Sequence, residues 1–254
     1  MRSHPFPYSD IVKVDGVALP ASTVWSSLAP HLTLARRQRI LEVAAGRNFS
    51  FATVLEHVHD EGNIAAVLRT CEGIGFPMVH VVKAADEMGT PLRAPNRVTQ
   101  GAQKWLKVAW WGSGEPWFEG LQRDGYRVLA TCVGEGSNID QVDFSRPTAV
   151  VFGNEHAGVT EATAKAADGW LSIPMAGFTR SFNISVAVAM VLRQARCSLN
   201  AAIGIDGALT DEQKIILAAR YAVSTLPSAG ALLRHSLGDS SFDIGSLRRK
   251  GSST

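Results

Sequence analysis

The chain has 254 residues, 46% of them hydrophobic and 19% charged, with a formal net charge of +2 at pH 7. Such a chain can bury an ordinary enzyme core, as one domain with extensions or as two small ones, and its overall charge does not mark it as a nucleic-acid binder. Three scattered cysteines (Cys71, Cys132, Cys197) with no CxxC pair argue against disulfides and a zinc site and fit a reducing cytoplasm. No apolar run is long enough to span a bilayer, and Met1-Arg-Ser-His-Pro-Phe-Pro7 lacks the apolar stretch of a signal peptide.

Residues 1–30 hold Pro5, Pro7, Gly16, Pro20 and Pro30 with little periodicity, and they read as an irregular arm. Residues 33–46 read as a basic amphipathic helix that Thr33 caps and Gly46 ends; Arg36, Arg37, Arg39 and Arg47 cluster around it. A strand–helix alternation follows. Strands are expected at 51–56, 78–82, 105–110, 127–131, 148–152 and 169–173, and helices at 61–73, 116–124, 161–167 and 183–197. A long polar loop covers 84–100. Short buried strands separated by helices predict an α/β fold, with a mainly parallel sheet covered by helices on both faces. Thr210-Asp-Glu-Gln213 opens a further helix to about Leu226, with a short one to Leu237; the Ser/Gly-rich tail after Gly238 carries Arg248, Arg249 and Lys250. The expected division is 1–50 as arm and basic helix, 51–200 as the α/β domain, and 201–254 as a helical extension and tail.

Three separated stretches carry polar chemistry. The first, Asn63 to Arg69, starts a helix. Asn63 suits a helix cap or a loop anchor. Arg69 lies among apolar neighbours, where a guanidinium needs an anion or a water-filled cleft. The second, Phe152-Gly153-Asn-Glu155-His-Ala-Gly158, follows a buried strand, at the sheet end where ligands of open α/β sheets bind. Glu155 can accept from a ligand or cap the next helix; His156 reads as surface polarity. The third, Ile173-Pro-Met-Ala-Gly-Phe-Thr-Arg180-Ser181-Phe182-Asn183-Ile-Ser185, runs from a strand end through a glycine-bearing loop into a very apolar helix. A plain N-cap explains one polar residue there but not Arg180, Ser181, Asn183 and Ser185 together. No G-x-G-x-x-G or Walker loop opens a βα unit, which argues against nucleotide-dependent dehydrogenases and ATPases.

In that order the three stretches resemble the signature motifs of the SpoU–TrmH family, the 2′-O-ribose RNA methyltransferases of the SPOUT superfamily. The likeness covers roughly residues 33–200. Within the family, His57 to Glu72 and Gln103-Lys104-Trp105 are most similar to the tRNA (guanosine-18-2′-O)-methyltransferases. The resemblance implies S-adenosylmethionine as methyl donor, a C-terminal trefoil knot forming its pocket, and a homodimer with the site at the subunit interface. It places Asn63, Arg69, Glu155, Ser181 and Asn183 at the reaction centre, Arg69 being the residue that helps remove the 2′-OH proton. The cofactor is expected near Thr131, Gly153, Ile173 and Phe182, and RNA phosphates near Arg36, Arg37, Arg39, Lys104 and Lys107. No metal is required. Phe182 stands where the family has Leu and Ile184 where it has Val, while Phe178-Thr179-Arg180 departs from the usual loop.

The implied substrate is tRNA, at the guanosine of the D-loop. Ribosomal RNA is the rival target; enzymes of that kind often carry an N-terminal RNA-binding domain of some 70–100 residues, the size of a small domain. Only about 50 residues precede the first predicted strand, which favours tRNA. A further rival, a non-catalytic RNA-binding member, is disfavoured because Asn63, Arg69, Glu155, Ser181 and Asn183 are all present.

Overall fold

The computed structural model describes residues 5–84, 101–112, 114–134, 136–203 and 209–238. The predicted polar loop from residue 85 on, and the tail from residue 239 on, lie outside the described residues. The chain forms two compact units, Asn48–Gly207 and a second built from Phe6–Arg47 with the residues from Ala208 onward.

In the second unit the proline-rich start is ordered, contrary to the expectation of an irregular arm. Strands β1 (Ile11–Val14) and β2 (Val17–Pro20) form an antiparallel hairpin, followed by helix α1 (Ala21–Leu28). The turn between the strands is Asp15-Gly16, both at positive φ, which is the left-handed geometry of a tight hairpin. Its strands are only four residues each, and they pack on residues 211–225, far along the chain, as well as on α1, so local periodicity does not reveal it. Helix α2 (Leu34–Gly46) starts as predicted, with the Thr33 hydroxyl accepting from the Arg36 N–H. Arg47 departs from the basic cluster: it is 2% exposed, and its Nε donates to the Tyr221 hydroxyl at 3.1 Å.

The first unit is the α/β domain. Its strands are β3 (Phe51–Glu56), β4 (Met78–Val82), β5 (Lys107–Trp111), β6 (Arg127–Cys132), β7 (Ser137–Asn138), β8 (Thr148–Phe152) and β9 (Gly169–Ser172). They make one seven-stranded sheet in the order β5-β4-β3-β8-β6-β9-β7, with every pairing parallel. Every residue of β3, β4 and β8 is buried, as central strands of a covered parallel sheet must be. The strand expected from Trp105 begins at Lys107 instead. Gly101, at φ 77°, opens a 3-10 turn over Ala102–Trp105, and parallel register with Met78 fixes the strand start.

Flanking helices are α3 (Glu61–Ile74), α4 (Trp117–Arg123), α5 (Glu161–Ala166) and α6 (Ile184–Ile203). One face of the sheet (Phe51, Leu55, Val79, Val81, Val150) packs on Leu68 and Cys71 of α3 and on Val188, Leu192 and Leu199 of α6. Each such buried side chain contributes about 1.5–3 kcal/mol relative to exposure. Helix α3 stops at Gly75, which sits at φ 93° in a left-handed cap. Burial pushes the Cys71 thiol up to about 12, so it is an inert core residue. Cys132, expected in the core, is only half-buried. Helices α7 (Asp211–Thr225) and α8 (Ala229–Leu237) complete the second unit, and α7 opens with the predicted capping box of Thr210 and Gln213. Among the described residues, no single helix is long and apolar enough to cross a membrane.

Candidate active site

Because all seven strands run the same way, the segments leaving β3, β6, β8 and β9 emerge at one end of the sheet. The sheet grows outward from β3 to β4 and β5 on one side and from β8 on the other. The crevice at that reversal is where open α/β sheets bind ligands.

The first helix after β3 is capped not by Asn63 but by Asp60, whose carboxylate accepts from the Asn63 N–H at 2.6 Å. The Asn63 side chain is thereby free to turn toward the crevice. Its Nδ2 donates to Glu155 Oε1 at 2.9 Å, and its Oδ1 accepts from Asn183 Nδ2 at 3.1 Å. Asn183 in turn caps α6, its Oδ1 accepting from the Ser185 N–H at 2.9 Å and from the Ser185 hydroxyl at 2.6 Å. The polarity of this relay is forced from both ends. An ionised carboxylate only accepts and a backbone N–H only donates, so both amides have one permitted orientation. Residues 63, 155 and 183, on three separate motifs, form one hydrogen-bonded chain.

The loop carrying Glu155 is built to hold still. Gly153 is followed by a pair of bonds between Asn154 and Gly158 (2.9 and 2.8 Å), and Asn154 Oδ1 accepts from the N–H groups of His156 and Ala157. A Cβ on Gly153 would lie 2.1 Å from the Gly158 carbonyl carbon. The glycine is therefore demanded by the chain folding over itself, rather than by a ligand approaching the backbone. Asn154 Nδ2 also donates to the carbonyl of His57, which stands at φ 55° as the chain leaves β3. Glu56, 2% exposed, accepts from the Thr160 N–H at 2.8 Å, the Thr160 hydroxyl at 2.9 Å and the Thr163 hydroxyl. Thr160, not Glu155, caps α5. Sequence reasoning passed over Glu56 and Asn154 as positioning residues; a glutamate ending an otherwise apolar strand was the available signal.

Beside the relay lies a pocket of about 460 Å³. All four residues expected near a cofactor line it: Thr131, Gly153, Ile173 and Phe182, together with Glu155 and Ser181. The Thr131 hydroxyl is engaged with the Val151 carbonyl at 3.0 Å, so Thr131 offers the pocket its backbone. Phe152, Leu171, Met175 and Ile184 make much of the wall apolar, while Asn154, Glu155, Arg180 and Ser181 are among its polar residues. That combination fits the adenosine and methionine parts of a sulfonium donor, which need an apolar slot with a few fixed polar groups. Cys132, Met175 and Arg180, absent from the predicted set, also line it. Among the described residues, no group of three or more His, Cys, Asp or Glu could hold a metal ion.

Arg69 is not part of the relay. It is exposed on α3, and it makes no hydrogen bond or ion pair with the described residues. It stands next to Thr70 and one turn from Ala66, and both of these line a second, open groove of about 720 Å³ between α3 and α6. Val186 and Met190 of α6 line the same groove and are 46% and 38% exposed, so the helix is not buried on all sides as its sequence suggests. Of the residues expected at RNA phosphates, Lys104 lies 4.6 Å over the Trp105 ring, and Lys107 is exposed at the start of β5. Arg36 and Arg39 are exposed on α2, Arg39 paired with Glu42 at 3.4 Å. Arg37 donates to the Ala29 carbonyl at 2.9 Å, which ties part of its guanidinium to its own unit.

The model of the SpoU rRNA Methylase family matches residues 50–193. A tRNA (guanosine(18)-2′-O)-methyltransferase of Thermus thermophilus is 38% identical over 165 residues, covering 65% of this chain and 83% of the relative. Among solved structures, the TrmH/SpoU tRNA modifying enzyme of A. aeolicus superposes with a TM-score of 0.67 at 27% identity, over 76% of this chain and 97% of that one. An AdoMet-bound rRNA methyltransferase from Sinorhizobium meliloti superposes with a TM-score of 0.53 at 26% identity, over 61% and 58%. By sequence and by fold, the chain belongs to the SpoU rRNA Methylase family.

Proposed function

We propose that this protein transfers the methyl group of S-adenosylmethionine to a ribose 2′-OH of tRNA, at guanosine 18 of the D-loop. The reading is carried by the chain of hydrogen bonds joining Glu155, Asn63 and Asn183 at the lip of a pocket lined by the expected cofactor residues. The relative at 38% identity bears the name of that activity, and its tRNA specificity favours tRNA over ribosomal RNA here.

The donor supplies an activated methyl group, so the protein has to align a sugar hydroxyl with it and take one proton. Asn63, its amide locked between Glu155 and Asn183, holds the ribose edge in a fixed polar frame. Glu155 keeps Asn63 from rotating, and Ser181 presents its hydroxyl at the pocket wall. With the donor held by the pocket residues, the O–C bond would form as the C–S bond breaks, the neutral thioether leaving and the 2′-OH proton passing to a phosphate oxygen of the bound RNA. A guanidinium only donates, so Arg69 helps remove that proton by holding the phosphate oxygen that takes it.

The open α3/α6 groove beside Arg69, with Val186 and Met190 exposed along it, supports a homodimer in which this face is covered and the site completed. Strand β9, last in sequence, lies between β6 and β7, whose connecting loop must pass across it. This order supports a trefoil knot, with the chain after β9 threaded under that loop. Arg36, Arg39, Lys104 and Lys107 are assigned to RNA phosphates, which position a folded RNA without reading its sequence.

The test is to incubate the protein with labelled S-adenosylmethionine and bulk tRNA or bulk rRNA, then map the modified ribose. Label in tRNA at guanosine 18 is expected. Label confined to rRNA would replace the substrate, and no label in either would overturn the activity.

A further inference from the structure

The loop between β9 and α6 carries a side chain that the reaction above does not use. Phe178 has a relative exposure of 109%, so its ring is entirely in water. The loop does not need it for folding, since no described residue packs against it. Two residues on, Arg180 is exposed and lines the cofactor pocket without a hydrogen-bond or ion-pair partner among the described residues. Met175, Arg180, Ser181 and Phe182 of this loop face that pocket, whereas Pro174 is its one contribution to the α3/α6 groove beyond the shared Ile173. Phe178 itself lines neither cavity, and the loop residues on both sides of it, Met175 and Arg180, line the cofactor pocket rather than the α3/α6 groove.

An unpartnered aromatic ring next to an unpartnered guanidinium matches the two faces of a nucleotide. Unstacked bases of RNA loops stack on aromatic side chains, and arginine forks suit phosphate oxygens. We propose that Phe178 stacks on the base of the nucleotide being methylated while Arg180 holds an adjacent backbone phosphate. Together they fix the sugar between them in line with the donor. The inference rests on the methyl-transfer reading and adds to it the group that holds the base. A phenyl ring has no hydrogen-bonding atoms, so Phe178 grips the base without selecting it; base identity is read elsewhere.

Phe178→Ala is expected to raise KM for tRNA by on the order of 5- to 150-fold, the range of a lost base–aromatic stack. The affinity for S-adenosylmethionine stays unchanged, and Phe178→Trp restores KM. Arg180→Gln is expected to lower the salt slope of RNA binding by about one. The discriminating measurement is filter binding to a tRNA whose target nucleotide lacks its base. Wild type loses affinity for it, and Phe178→Ala loses nothing further. Equal weakening by Phe178→Ala on intact and abasic RNA overturns the proposal, as does an unchanged KM. A fall to half the native mass in Phe178→Ala also overturns it, because the ring then serves a contact between copies. Failure of wild type to methylate tRNA would sink the parent reading, while the binding arms still decide whether Phe178 stacks.

Discussion

Asn63→Asp tests the relay with almost no change of shape. The new carboxylate still accepts from Asn183 Nδ2, now 3.1 Å from Asn63 Oδ1, but it has nothing to donate to Glu155 Oε1, which lies 2.9 Å from Asn63 Nδ2. One hydrogen bond to a charged group is lost; such bonds contribute about 1.5–3 kcal/mol, and the exposure of Glu155 puts this one near about 1 kcal/mol. Two carboxylates then face each other at contact distance, which costs about 1 kcal/mol more even in water. The sum of about 2 kcal/mol predicts a roughly thirtyfold fall in kcat/KM for methyl transfer to tRNA. Adding Glu155→Gln reverses the donor and acceptor rather than deleting them: the new amide donates to the new carboxylate, and the bond re-forms. The double variant is expected to be more active than the product of the two single effects, measured in single turnover with labelled S-adenosylmethionine. Native circular dichroism in all three variants excludes unfolding. A single variant within twofold of wild type, or strictly multiplicative effects, would refute the coupling of Asn63 to Glu155.

Gly153→Ala places a methyl group 2.1–2.3 Å from the backbone of Gly158 and Val159, where nothing flexible can yield. The loop must open, so a lower Tm and weaker S-adenosylmethionine binding by calorimetry are expected together; unchanged binding would show that the loop does not shape the pocket. Burial, and secondarily Lys107, lowers His80 to about 4, and its Nδ1 accepts from the Trp111 indole at 3.0 Å. The unfolded chain takes up a proton near the ordinary value of about 6.5 that the folded form refuses. Stability from this group is therefore complete above that value and lost as pH falls toward 4, by up to about 3 kcal/mol. Urea midpoints at pH 7.5 and 4.5 should differ less in His80→Gln than in wild type; identical differences would reject the assignment.

Several elements were legible in the sequence because their causes are local. The apolar runs Phe51–Leu55 and Thr148–Phe152 became central strands, and Thr33 and Thr210 became helix caps. The three motifs were also visible, since polar residues and glycines at strand ends have few purely structural uses. The hairpin at Ile11–Pro20 was hidden because its strands are only four residues each, and one element packed on it, α7, lies far along the chain, where Arg220 donates to the Ile11 carbonyl. Arg47 read as surface charge until Tyr221, 174 positions away, accounted for its guanidinium.

The sequence by itself determined which residues carry polar chemistry, the alternation that makes a parallel sheet, and the family to which the motifs point. Only the tertiary structure decided which of those residues meet. Asp60 relieves Asn63 of capping α3, Thr160 relieves Glu155 of capping α5, and the two freed side chains find each other across 92 positions. The same structure left Arg69 outside that cluster, on an open face beside an apolar groove. Helix caps compete for the same side chains that a site needs, and that competition is resolved by three-dimensional geometry, which spacing along the chain does not encode.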